Sequence, residues 1–276
     1  MSFVEQFERD NFLVIDRLFD PALIDAAAAE VHGQFTDLDA EALPPHLRVG
    51  PRRIQLPVQL KGALLEPALY ANPLLLRMLE PLLGRKFLID SFTCVVAFPG
   101  APEQRLHRDH DDLFMDRQEL RERLAPYAIT VTIPLIDFTE DTGATRLFAG
   151  SQALGGPAVD EQLAEAEGKL SYVKRGGCYL MDYRLIHRGT ANRSDRMRPM
   201  LSLIYARPWF TDAENFNAHP RITIARDDVA RIPAEHRPLF RRLAAQGAID
   251  CTQQQLFDLG AQGGRQPRGR SGHRGV

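Results

Sequence analysis

With 276 residues, 44% of them hydrophobic and 25% charged, the chain has the composition of a folded globular protein rather than a disordered or fibrous one. Its formal net charge of −2 supplies no field that would draw a nucleic acid or an anionic membrane surface. The three cysteines, Cys94, Cys178 and Cys251, are odd in number and widely spaced. There is no apolar leader after Met1 and no apolar run of about 18 residues, so a cytoplasmic protein without a membrane span is expected.

In chain order, residues 3–9 read as a short amphipathic helix or turn and residues 12–15 as a brief strand. Asp20-Pro21 supplies a cap and a first-turn proline for a helix over residues 21–32. Residues 36–49 are polar, carry Pro44-Pro45 and read as loop. Residues 53–60 alternate polar and apolar and read as a strand interrupted by proline. Leu75, Leu76, Met78, Leu79, Leu82 and Leu83 recur at helical spacing, and Gly84 stops that helix. From Lys86 the pattern becomes β. Strands are expected at residues 87–89, 92–98, 128–136 (with Thr130 and Thr132 on one face), 146–148, 172–174, 178–181 and 200–206. A helix is expected near residues 233–246, and residues 260–276 have the composition of a disordered basic tail. Many short strands between Gly and Pro turns argue for a sandwich or barrel.

The chemistry concentrates after Pro99-Gly100, where His107-Arg108-Asp109-His110-Asp111-Asp112 holds two histidines and three aspartates in six positions. Residues two apart on an extended strand share a face, so His107 and Asp109 aim an imidazole and a carboxylate at one point. His110 and Asp112 form a second pair of opposite parity, and only one pair can face inward. The first is favoured, because Leu113-Phe114 and the extra Asp111 mark the second as the end of the strand. A third ligand is best supplied by His187. Two imidazoles and one carboxylate on one metal face are the arrangement of non-haem Fe(II) oxygenases. Arg198, 11 residues after His187 (198 − 187), opens an apolar strand and needs an anionic partner there, either a bidentate carboxylate or a surface acid.

Three ordered motifs carry a family resemblance. They are Q-x-x-H-x-D (Gln104, His107, Asp109), G-A-T-R-L-F-A-G-S (143–151) and H-R-G-T-A-N-R-S-x-x-x-R-P (187–199). Together they resemble the phytanoyl-CoA dioxygenase-like family, Fe(II)- and 2-oxoglutarate-dependent oxygenases on a double-stranded β-helix, the jelly-roll of cupins. The opening F-E-R-D-N-F-L-V-I-D is also similar to that family's start. The resemblance implies that His107, Asp109 and His187 bind iron and that Arg198 holds the distal carboxylate of 2-oxoglutarate. It implies further cosubstrate hydrogen bonds from Thr145 and Gln104, and dioxygen as co-reactant. The turn reads A-G-S-Q where many members have P-G-S-H, which leaves the substrate-side contacts of Gln152 open. The expected organisation is one domain over residues 1–259, with N-terminal helices to about residue 85, a β core over about 86–212 and a C-terminal helical region. The expected reaction is hydroxylation of a small-molecule C–H bond. A cupin-like metal-binding protein and a zinc hydrolase on the same ligands are the competing readings.

Overall fold

Period-two alternation organises the core. In strand β10 (Arg198–Ala206), Leu201, Leu203 and Tyr205 enter one buried cluster. Met200, Ser202 and Ile204, on the other face, line a cavity. Strand β5 (Ala128–Pro134) repeats this, with Ile129, Val131 and Ile133 in the cluster and Thr130 and Thr132 on the cavity, as their shared face predicts. Strand β8 (Cys178–Asp182) sends Cys178 and Leu180 to the core and Tyr179 and Met181 to the cavity. The computed structural model that shows this describes residues 2–110, 113, 117–155, 163, 166–213, 215–216, 220–243 and 255. The expected basic tail at residues 260–276 lies outside them.

The remaining strands are β1 (Phe12–Ile15), β2 (Arg48–Gly50), β3 (Arg53–Leu56), β4 (Leu88–Ala97), β6 (Thr145–Leu147), β7 (Lys169–Leu170) and β9 (His187–Gly189). A seven-stranded sheet runs in the order β1-β8-β5-β10-β4-β3-β2, and a three-stranded sheet in the order β7-β6-β9. All the pairings within these sheets are antiparallel. Two antiparallel sheets enclosing a cavity, with helices on the outer face of the larger, make the double-stranded β-helix jelly-roll.

The helical layer is amphipathic. Helix α1 is Phe3–Asp10, and α2 (Pro21–Gln34) is capped by the Asp20 side chain on the amide of Ala22. Further on, α3 is Pro67–Tyr70, α4 is Pro73–Leu83, α5 is Gln118–Arg123 and α6 is Arg226–Arg231. Ile24, Ala27 and Val31 of α2 and Leu75, Leu79 and Leu82 of α4 share the apolar cluster with Leu201 and Leu203. No helix among the described residues is long and apolar enough to cross a membrane.

Three expectations are corrected. The strands expected at 87–89 and 92–98 form one strand, β4, whose register against β10 slips between Ile204 and Tyr205, so that Asp90 is the extra residue of a β-bulge. Tyr172 to Lys174 make no strand. The backbone there serves other partners, with Val173 accepting from Phe138 at 2.9 Å, and the strand lies at β7 instead. The helix expected near 233–246 does not run through the described part of that stretch: Arg237–Phe240 is a 3-10 turn, Leu243 is helical, and residues 244–246 lie outside the described residues, while α6 stands earlier in the chain.

The bulge explains how the segment after β10 is held. Asp90 is fully buried and faces Arg221 at 2.8 Å and Arg242. Asp90→Ala strands two partly buried guanidinium groups, and urea unfolding is expected to show a loss of about 3 kcal/mol, the lower end for breaking a buried ion pair.

Candidate active site

The cavity between the sheets has a volume of about 340 Å³, within the range of small-molecule sites. His107, Asp109 and His187 meet there, with one donor atom from each lying within 4.8 Å of the others. His187 is on β9. His107 pairs with it as an isolated antiparallel bridge, each amide donating to the other's carbonyl at 2.9 and 3.0 Å. The H-x-D segment is therefore not a regular strand, and one bridge sets its direction. The two rings lie 4.4 Å apart. Asp109 Oδ1 is 3.4 Å from His187 Nε2, and its Oδ2 accepts from the Thr130 hydroxyl at 3.0 Å.

Both histidine rings are oriented by main-chain carbonyls. His107 Nδ1 lies 2.9 Å from the carbonyl of Arg105, and His187 Nδ1 lies 3.0 Å from that of Leu185. Each carbonyl fixes the proton on Nδ1 and leaves Nε2 as a lone pair directed into the site. Burial, reinforced by neighbouring His187, pushes the His107 imidazole down to about 4, so it is neutral at pH 7. His110 packs instead at 5.4 Å from the Phe210 ring, and its partner Asp112 lies outside the described residues.

Arg198 is 2% exposed and its guanidinium meets no carboxylate among the described residues. It donates to the carbonyl of Ala144 at 3.2 Å and lies over the Phe138 ring, while its Nε has no hydrogen-bond partner. Burial lowers its pKa. The surface-acid alternative for Arg198 is thus disfavoured, and the guanidinium faces the cavity. Thr145 is buried beside it, its hydroxyl 2.7 Å from that of Tyr179. Gln104 also lines the cavity, but its amide bridges two backbones. Nε2 donates to Val49 at 3.0 Å, and Oε1 accepts from Gly189 at 2.9 Å. The turn residue Gln152 sits in a 3-10 turn with its Oε1 buried and unpartnered.

Sequence reasoning passed over Arg53. It is 1% exposed, lines the same cavity and pairs with Ala97 of β4, the residue that Arg198 pairs with from the other side. Among the described residues its donors reach the carbonyls of Pro102 and Thr190, and Nε finds no partner. Burial, and then the charge of Arg198, push its guanidinium down to about 10. Among the described residues no carboxylate pairs with either buried cation, an arrangement suited to a small anion.

Gly143 keeps room for this arrangement. Its φ is +80°, and a Cβ there would lie 2.5 Å from the carbonyl of Ala191 and 2.7 Å from Arg198 Nη1. Gly143→Ala is expected to lower the melting temperature and to weaken carboxylate binding at Arg198, read by calorimetry with 2-oxoglutarate.

A family model described as phytanoyl-CoA dioxygenase (PhyH) matches residues 7–200. Dioxygenase aneA of Aspergillus aculeatus is 28% identical over 154 residues, 54% of this chain and 51% of that protein. Multifunctional dioxygenase prhA of Penicillium brasilianum is 34% identical over 116 residues, covering 40% of this chain and 38% of that one. The chain therefore spans about half or less of the length of these curated relatives. Among solved structures, the non-heme alpha ketoglutarate dependent epimerase SnoN superposes with a TM-score of 0.57 at 16% identity, over 74% of this chain and 80% of that one. HygX from Streptomyces hygroscopicus, solved with nickel and 2-oxoglutarate bound, gives 0.57 at 17% identity, over 76% and 89%. Likeness at these identities speaks for the fold.

Proposed function

The chain belongs to the phytanoyl-CoA dioxygenase family, and we propose that it is an Fe(II)- and 2-oxoglutarate-dependent dioxygenase. It would oxidise, by hydroxylation, a C–H bond of a small-molecule substrate and release succinate and carbon dioxide. The observation that carries this reading is the placement of His107, Asp109 and His187 in one cavity with a buried Arg198 that has no carboxylate partner among the described residues. The dioxygenase names of the curated relatives support it.

The donor set fits Fe(II). Two neutral imidazole nitrogens and one carboxylate suit a borderline cation and leave coordination positions open on one face. Iron, when bound, supplies the dioxygen chemistry, and the protein supplies orientation and a dry site. His107 and His187 present Nε2, with Nδ1 pinned to main-chain carbonyls. Thr130 holds Asp109 by one oxygen and leaves the other for the metal. Arg198 would hold the distal carboxylate of 2-oxoglutarate, with Thr145 and Tyr179 as the polar wall beside it. Arg53 adds a second positive charge that favours a dianionic cosubstrate. Gln104 acts mainly by tying strand β2 at Val49 to β9. The walls contributed by Met181, Ile204 and Phe216 give a substrate apolar contact.

The test is succinate formation from 2-oxoglutarate by the purified full chain in air with Fe(II), and its absence under argon. Turnover independent of oxygen would favour the zinc-hydrolase reading, which gives Arg198 no role. Metal uptake without succinate would favour a cupin-like binding protein.

A further inference from the structure

We propose that Asn215, in the segment after β10, is a positioning residue for the Asp109 ligand; the inference rests on the assignment of Asp109 to the metal. The Asn215 side-chain amide has two acceptors, the main-chain carbonyl of Asp109 and the carboxylate of Asp212 at 2.7 Å. Its backbone N–H donates to the other oxygen of Asp212 at 3.0 Å. One buried carboxylate therefore fixes both the main chain and the side chain of Asn215.

Asp212 is itself held from three sides. It is fully buried and accepts from the hydroxyl of Tyr183, another cavity residue. Its amide donates to the bulge residue Asp90 at 3.4 Å, and its carbonyl accepts from Arg221. Arg221 also binds Asp90. The chain of contacts thus runs from the β4 bulge through Asp212 to Asn215 and ends on Asp109.

Asp109 needs such an anchor. It lies two residues past the one β-bridge of its segment, at His107, and so outside any sheet ladder. Thr130 fixes its carboxylate, and the side chain of the preceding residue, Arg108, is held by the carbonyls of Arg184, Ser151 and Leu154. Asn215 adds a direct restraint on the main-chain carbonyl of Asp109. Because Asn215 and Phe216 also line the cavity, the wall facing a substrate is the same element that steadies the ligand.

The experiment measures Co(II) affinity of the full chain by calorimetry without cosubstrate, for the wild type, Asn215→Ala and the near-isosteric Asn215→Leu. Supporting interactions behind metal ligands change affinity by about 10–100-fold, and a loss of about tenfold is expected in both variants. Asn215 is exposed, so the metal-free melting temperature is expected to stay close to that of the wild type. A purely structural role would do the reverse, lowering the metal-free melting temperature while Co(II) affinity stays unchanged, and that result would overturn the proposal. Full Co(II) affinity in Asn215→Leu would overturn it as well. A wild type that takes up no Co(II) would remove the metal assignment itself, a failure distinguishable from the first because it appears before any substitution is made.

Discussion

Arg198→Ala is expected to weaken the apparent affinity for 2-oxoglutarate by on the order of 2–5 kcal/mol, much of it from a cosubstrate carboxylate left unpaired. Metal affinity should hardly change, because Arg198 contacts none of the three ligands. The stability consequence separates this role from a packing role. Arg198 has no protein carboxylate partner among the described residues, so its removal strands no acidic group and relieves a buried unpaired charge. A structural arginine would cost stability and spare cosubstrate affinity. An unchanged apparent affinity for 2-oxoglutarate in the variant would contradict the assignment.

The second large effect concerns the carboxylate of the metal site. Asp109→Ala removes one of three donors and is expected to lose iron and abolish succinate formation. Asp112→Ala is the control from the overlapping H-x-D pair and is expected to keep both. Iron stoichiometry and succinate measured on the two variants decide the register. Iron lost from Asp112→Ala and kept by Asp109→Ala would move the ligand set to His110, Asp112 and His187. The placement of His110 against Phe210, away from the triad, argues for the first register.

Much of this was legible in the sequence, and the limits have physical causes. The alternation in β5 and β10 is a local property, so the shared face of Thr130 and Thr132 could be read directly. The H-x-D spacing placed two donors together, although the strand argument behind it was too simple, since a single bridge to His187 directs the pair. Arg53 could not be found this way. It sits in R-R-I-Q, and its meaning arises only because β3 and β10 flank the same residue of β4. Tyr172 and Val173 have strong strand propensity, yet their segment is claimed by loop contacts from residue 138, which no local pattern records. No local pattern marks Asp90 or Asp212 for burial. Their burial follows from a bulge and from arginines more than 100 residues away in the case of Asp90.

The central claim is that one cavity binds Fe(II) through His107, Asp109 and His187 and 2-oxoglutarate through the metal and Arg198 together. An anaerobic titration tests it most directly, adding Fe(II) and then 2-oxoglutarate to the full chain while the visible absorption is followed. The account predicts a metal-to-ligand charge-transfer band that needs both additions, saturates at one equivalent of each, and requires much more 2-oxoglutarate in Arg198→Ala. Absence of the band with iron bound, or a band of undiminished affinity in Arg198→Ala, would contradict it.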